Sequence, residues 1–173
     1  IGRDGRIPWH IPGEQRRFRE LTLGNTVIFG RRTYEEIGAP LPHREILILS
    51  RTKQFHGAHL RTFPDLAAAL AAAETPRIFI GGGAGVYAEA LPLAKVLYLT
   101  EIAGDFQGDT FFPAVPAGQF RQTAAEYHDG TVPYVYRTYC RTAEGRSGPC
   151  DELCADGVQS RQTNFVQIPM DKG

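Results

Sequence analysis

Four short apolar runs constrain this chain more than anything else in it: NTVIFG (25–30), REILILS (44–50), PRIFIGG (76–82) and KVLYLTEI (95–102). Each is rich in Val, Ile, Leu and Phe and shows little alternation of polar and apolar positions. Near-continuous apolar character over so few residues is what a strand needs when both faces of its sheet are covered. Helical patterns fill the intervals: Gly13–Leu21 after a proline, the short Thr33–Ile37, the alanine-rich Asp65–Ala73 with Asp65 as its cap, and Gly85–Leu91 after a glycine cluster. Strand–helix–strand alternation predicts an α/β fold, a single domain with a mostly parallel central β-sheet flanked by helices. FRQTAAEYHD (120–129) and YVYRTYCRT (134–142) alternate about GTVP and predict a C-terminal antiparallel hairpin.

Beyond Thr142 the sequence turns polar and loses any period, so 143–173 reads as an irregular or disordered tail and 1–142 as the domain. Within the tail, TNFVQIPM (163–170) is compatible with a short strand, which Pro169 restricts to a sheet edge. The length, 173 residues, suits one core. Lys+Arg and Asp+Glu both number 19, so no bulk field points to nucleic acid or an anionic membrane. No apolar run reaches the ~18 residues of a membrane span. Three late cysteines, Cys140, Cys150 and Cys154, suggest neither a disulfide framework nor a metal site, and the expected setting is the cytoplasm.

Ligands of open parallel sheets bind beyond the carboxyl ends of the strands. Gly30 ends the first strand and leads into Arg31 and Arg32 at a helix start; Ser50 and Arg51 end the second; GGGAGVY (81–87) ends the third. Singly, each has an ordinary reading as a solvated helix start, turn chemistry or a weak glycine run, and the glycines do not complete a G-x-G-x-x-G fingerprint. Together they suit a ligand with more than one phosphate, and a dinucleotide bearing a 2′-phosphate is the natural candidate.

The stretch IPWHIPGEQRRFRELT (7–22) adds an acid. Helical spacing puts Glu14 on one face with Phe18 and Leu21, opposite Arg16, Arg19 and Glu20. A carboxylate that merely complements the helix dipole should face water. An acid on the apolar stripe, near Trp9, is instead a candidate for ligand binding or catalysis.

IGRDGRIPWHIPGEQRRFRELTLGNTVIFGRRTYEEIG, PLPHREILILSR, GGGAGVYAEALP, LYLTEI and GDTFFP, in this order and spacing, resemble dihydrofolate reductase from Ile1 to about Thr142. The resemblance implies NADPH-dependent reduction of 7,8-dihydrofolate, with antifolates as inhibitors and a monomer as the working form. It gives Glu14 the place of the single active-site acid, Trp9 that of the tryptophan ordering water beside it, and Thr100 that of the threonine bonded to it. Phe18, Ile37 and Leu41 match the apolar walls of the substrate site, and Arg44 the arginine that pairs with the folate α-carboxylate. The cofactor would be held by Arg31, Arg32, Thr33, Ser50 and Arg51. Ile1, Gly2, Gly30, Leu49, the Gly82–Gly83 pair with its cis peptide, and Ala84, Gly85, Val86 and Tyr87 would wall its site. Asp109 matches a position tied to loop closure. Tyr87 and Leu41 also read as plain core, as do Phe111 and Phe112.

This sequence departs from the family in three respects. The family's opening strand, which runs through the middle of the sheet, has no counterpart before Ile1, so the first strand is expected to be missing unless 163–170 fills the gap in a permuted arrangement. Gly81 stands where an aliphatic residue is common, which suggests a roomier pocket. The tail beyond Thr142 has no counterpart. The alternatives are a riboflavin-pathway type of pyrimidine reductase on the same fold and a non-catalytic nucleotide-binding fragment.

Overall fold

The computed structural model describes residues 1–39, 41–142 and 162–166. Helix α1 (Glu14–Thr22) starts on Gly13, whose φ of 89° turns the incoming loop through the left-handed region. It buries Glu14, Phe18 and Thr22, one residue per turn. Strand β1 (Thr26–Gly30), helix α2 (Arg31–Ile37) and strand β2 (Glu45–Leu49) follow. Strand β3 (Leu60–Phe63), helix α3 (Leu66–Ala72), strand β4 (Arg77–Gly82) and helix α4 (Ala84–Ala90) come next. The chain closes with strands β5 (Val96–Ile102), β6 (Phe120–His128), β7 (Tyr134–Arg141) and β8 (Gln162–Val166). The Asp65 side chain caps α3 by accepting from the Ala68 N–H at 2.8 Å, as its sequence position predicts.

The eight strands form one sheet in the order β3-β2-β1-β4-β8-β5-β7-β6. Pairings among β1, β2, β3 and β4 are parallel, while β5–β7 and β7–β6 are antiparallel. Alternation along the strands sorts the core onto two faces. Ile28, Leu47, Ile78 and Ile80 point to the side covered by α3 and α4, where Leu66, Ala69, Tyr87 and Ala90 meet them. Val27, Phe29, Ile46, Ile48 and Phe79 point to the other side and pack with Phe18 of α1. Burial on both faces explains why these strands read as unbroken apolar runs.

Two segments depart from expectation. β3 went unforeseen because LRTF places an arginine mid-strand and all four of its residues are only half-buried, as suits an edge partner of β2. The edge-strand reading of 163–170 is overturned, and the alternative, that this segment fills the gap inside the sheet, holds for residues 162–166. Residues 162–166 lie inside the sheet as β8, parallel to β4 on one side and to β5 on the other. Without a strand there, β4 and β5 would leave the ladder groups facing one another unpaired, which is costly in a sheet interior. The irregular-tail reading therefore fails for these five residues, which join the sheet formed by 1–142. Pro169, Cys150 and Cys154 lie outside the described residues. Among the described residues no helix is long and apolar enough to cross a membrane.

Candidate active site

The chain leaves β1 through α2 to β2 on one side, then returns through α3 to β4 on the other. The carboxyl ends of β1 and β4 thus flank the point where the strand order reverses, the place where open sheets hold ligands. A cavity of about 670 Å³ opens there. It is lined from β1 and α2 by Gly30, Arg31, Arg32 and Thr33, and from β2 by Leu49 and Arg51. From β4 and α4 come Gly81, Gly82, Gly83, Ala84, Gly85, Val86 and Tyr87, and from the opening loop Ile1 and Gly2. The Gly82–Gly83 peptide is cis, and Gly82 has a φ of 131°.

Ser50 is the one expected cofactor residue that does not line this cavity. Its hydroxyl instead accepts the Lys53 N–H at 3.0 Å, closing the turn after β2. Arg31 lines it but is already engaged, its Nη1 donating to Glu35 at 2.8 Å while Lys53 takes the other Glu35 oxygen at 2.7 Å. Two cations hold the Glu35 carboxyl below its usual range, the Lys53 hydrogen bond contributing most. The i,i+4 spacing of Arg31 and Glu35 makes this pair legible in the sequence. Arg6, Arg32 and Arg51 have no ion-pair partner among the described residues, so these three cations are left for an anionic ligand. The sequence reading missed Gly5, Arg6, Ile7, Glu36 and Thr110 in the lining. The opening loop reaches the cavity through a tight Arg3–Arg6 turn with positive φ at Asp4 and Gly5, a D-G hairpin signal. Asp109 fastens that loop by accepting the Asp4 N–H at 2.7 Å, and Gly2 bridges to Thr110.

Gly81 does not make the pocket roomier. The space a side chain would take there is filled by the Phe29 ring, which an added Cβ would meet at 2.2 Å. Phe29 in turn packs against Phe18, with ring centres 6.4 Å apart. The apolar stripe of α1 therefore reaches the cavity floor through two ring contacts. Ile37 and Leu41 join the same cluster, so the three expected apolar wall residues do come together.

Glu14 is 1% exposed. Its Oε1 accepts the Thr100 hydroxyl at 2.7 Å, while Oε2 has no hydrogen-bond partner among the described residues. Burial pushes the carboxyl above its ordinary range, opposed by the Thr100 bond, Arg17, the Tyr136 hydroxyl and His128. A buried carboxylate with one oxygen held and the other unpartnered is left short of a donor. Trp9 is half-buried against Phe106, with ring centres 5.0 Å apart. Arg44 is also buried, donating to Thr22 Oγ1 at 3.2 Å and to the Pro42 carbonyl at 3.3 Å. Burial and the neighbouring Arg19 lower its pKa, which marks a cation short of an anion. Tyr87 belongs to both readings, since it lines the cavity and is buried against Phe112. Phe111 is 70% exposed, contrary to the core expected of it, because neighbours in an extended segment face opposite ways. Among the described residues no group of three or more His, Cys, Asp or Glu could hold a metal ion.

A glycine-floored cleft at the switch point of an α/β sheet, three arginines without an ion-pair partner among the described residues and a buried acid on α1 suit the class of nucleotide-dependent oxidoreductases. The family model for dihydrofolate reductase matches residues 1–141. The type A13 dihydrofolate reductase of Escherichia coli is 38% identical over 143 residues, covering 82% of this chain and 87% of that protein. The dihydrofolate reductase of Bacillus subtilis (strain 168) is 32% identical over 139 residues, covering 79% and 83%. The solved structure of dihydrofolate reductase from Enterococcus faecalis, complexed with NADP(H) and RAB-propyl, superposes with a TM-score of 0.74 at 32% identity, over 83% of this chain and 89% of that one. The chain belongs to the dihydrofolate reductase family.

Proposed function

We propose that this chain reduces 7,8-dihydrofolate to tetrahydrofolate with NADPH, using Glu14 as the substrate-binding acid. The observation that carries the role of Glu14 is its buried carboxyl, with Oε1 tied to Thr100 and Oε2 open. The cavity fits the cofactor. Its glycine floor lets a flat ring system approach the backbone, and Arg32 and Arg51 stand free for phosphates. When bound, NADPH supplies the hydride.

The protein's part is position and electrostatics. Glu14 accepts the amino group and ring N–H of the pterin, and its charge in a water-poor pocket favours a proton on N5. Thr100 fixes which carboxyl oxygen remains open. Phe18, Ile37 and Leu41 wall the ring and its aromatic extension, and Trp9 holds water at the mouth. Arg44 receives the substrate's α-carboxylate as a planar fork, relieving its own buried charge. Antifolates that carry a diaminopyrimidine-like face would compete for the open oxygen of Glu14. We take the working form to be a monomer in the cytoplasm.

Loss of reduced-nicotinamide absorbance with dihydrofolate tests the reading. Turnover supports it, turnover only with a ribosylated pyrimidine favours the riboflavin-type alternative, and cofactor binding without turnover favours an inactive fragment.

A further inference from the structure

The wall behind Glu14 belongs to the antiparallel half of the sheet. There the register sets Tyr136 of β7 directly opposite Thr100 of β5. Side chains of opposed residues leave a sheet on the same face, so Tyr136 stands beside Thr100 on the side of the sheet that faces Glu14. Thr100 makes the close bond at 2.7 Å. Tyr136 is 9% exposed, and its hydroxyl interacts electrostatically with Glu14 and with Tyr134. Arg17, one turn after Glu14 on α1, lies with its guanidinium carbon 3.9 Å from the centre of the Tyr136 ring. His128 of β6 meets the same ring edge-on at 4.8 Å and stacks on Tyr134 at 4.6 Å.

We infer that Tyr136 is a positioning residue acting through Glu14, bracing the carboxyl from β7 as Thr100 does from β5 and setting the pH at which the site gives up its proton. The inference rests on Glu14 being the substrate-binding acid. A phenol aimed at a carboxyl stabilises the ionised form over the neutral one. Arg17 over the ring draws electron density from it, which makes the hydroxyl a better donor. The groups facing Glu14 are Thr100 from β5, Arg17 from its own helix, Tyr136 from β7 and His128 from β6. All four favour the carboxylate against the burial that disfavours it. Glu126, whose Oε1 lies 2.9 Å from His128 Nε2, weakens the reach of His128.

Tyr136→Phe removes the hydroxyl and keeps the ring. The proton held jointly by Glu14 and the bound pterin should then persist to higher pH. The alkaline fall of kcat/KM should move upward, so that where the wild type has lost most of its plateau the variant keeps a roughly three-fold larger share of its own. The infrared band of the protonated Glu14 carboxyl, followed in ligand-free protein, should move in the same direction. Site-specific 3-fluorotyrosine at 136, a stronger donor of nearly the same shape, should move both the opposite way. If the wild type turns over and neither replacement moves the limb or the band, the inference fails while the proposed function stands. If the wild type shows no turnover, the proposed function fails, and the infrared titration alone decides whether the phenol governs Glu14.

Discussion

Replacing Gly81 with alanine adds one methyl group at a position where the structure has no room for it. The new Cβ would lie 2.2, 2.7 and 2.8 Å from three carbons of the Phe29 ring. Carbon atoms prefer about 3.5–4.0 Å, so the ring must retreat by more than an ångström. It cannot swing into solvent, because Phe29 is 0% exposed and wedged against Phe18. The backbone at 81 lies outside the left-handed region, so the penalty is steric rather than conformational. Overpacking of this kind costs about 1–3 kcal/mol. With a urea slope of roughly 1–3 kcal/mol per molar, the unfolding midpoint should fall by about 1 M. Phe29→Leu opens the same space from the other side. The double variant should therefore be more stable than the two single changes add up to, with a coupling of about 0.5–3 kcal/mol. The reasoning is refuted if Gly81→Ala unfolds within about 0.5 kcal/mol of the wild type, or if the two changes simply add.

Three other outcomes follow from the same geometry. Burial raises the Glu14 carboxyl pKa, so the folded state holds that proton more tightly than the unfolded chain does. The resulting stability is fully present below the ordinary carboxyl range and is lost as pH rises through the raised native value, at about 1.4 kcal/mol per unit of elevation. Glu14→Gln should accordingly raise the melting temperature of the ligand-free protein at neutral pH, with the gain shrinking toward acid in a series of thermal scans. Removing Arg32 or Arg51 should weaken NADPH binding on the order of tenfold each, measured by fluorescence titration. Arg31→Ala should do less, because Glu35 already holds that guanidinium. A chain ending at Thr142 lacks β8 and loses both ladders of an interior strand, so its denaturant unfolding should become broad and weakly cooperative.

The legible parts of this fold are those decided locally. Strands β1, β2, β4 and β5 lie where their apolar runs predict, because covered faces demand apolar residues along the whole run. Glu14 was found from helical spacing alone, since one face of α1 buries it with Phe18. The missed parts depend on partners distant in sequence. The place of β8, open in the sequence between a sheet edge and the interior gap, is decided by the facing ladders of β4 and β5. The filling of Gly81 comes from Phe29 on the neighbouring strand, and no spacing rule connects those positions. Tyr136 reaches Glu14 only through the β5–β7 register, so it read as one more residue of a hairpin. Arg31 is different, because its i,i+4 partner was visible and the cofactor reading outweighed it.

The central claim is that the buried acid at position 14 operates on the substrate and not on the cofactor. The direct measurement is the rate of dihydrofolate reduction by Glu14→Gln against wild type near neutral pH, with the NADPH dissociation constant determined on the same samples. The expected result is a loss of at least ~100-fold in rate with NADPH affinity essentially unchanged. A variant that keeps wild-type turnover, or one whose slowness is explained by lost NADPH binding, contradicts it.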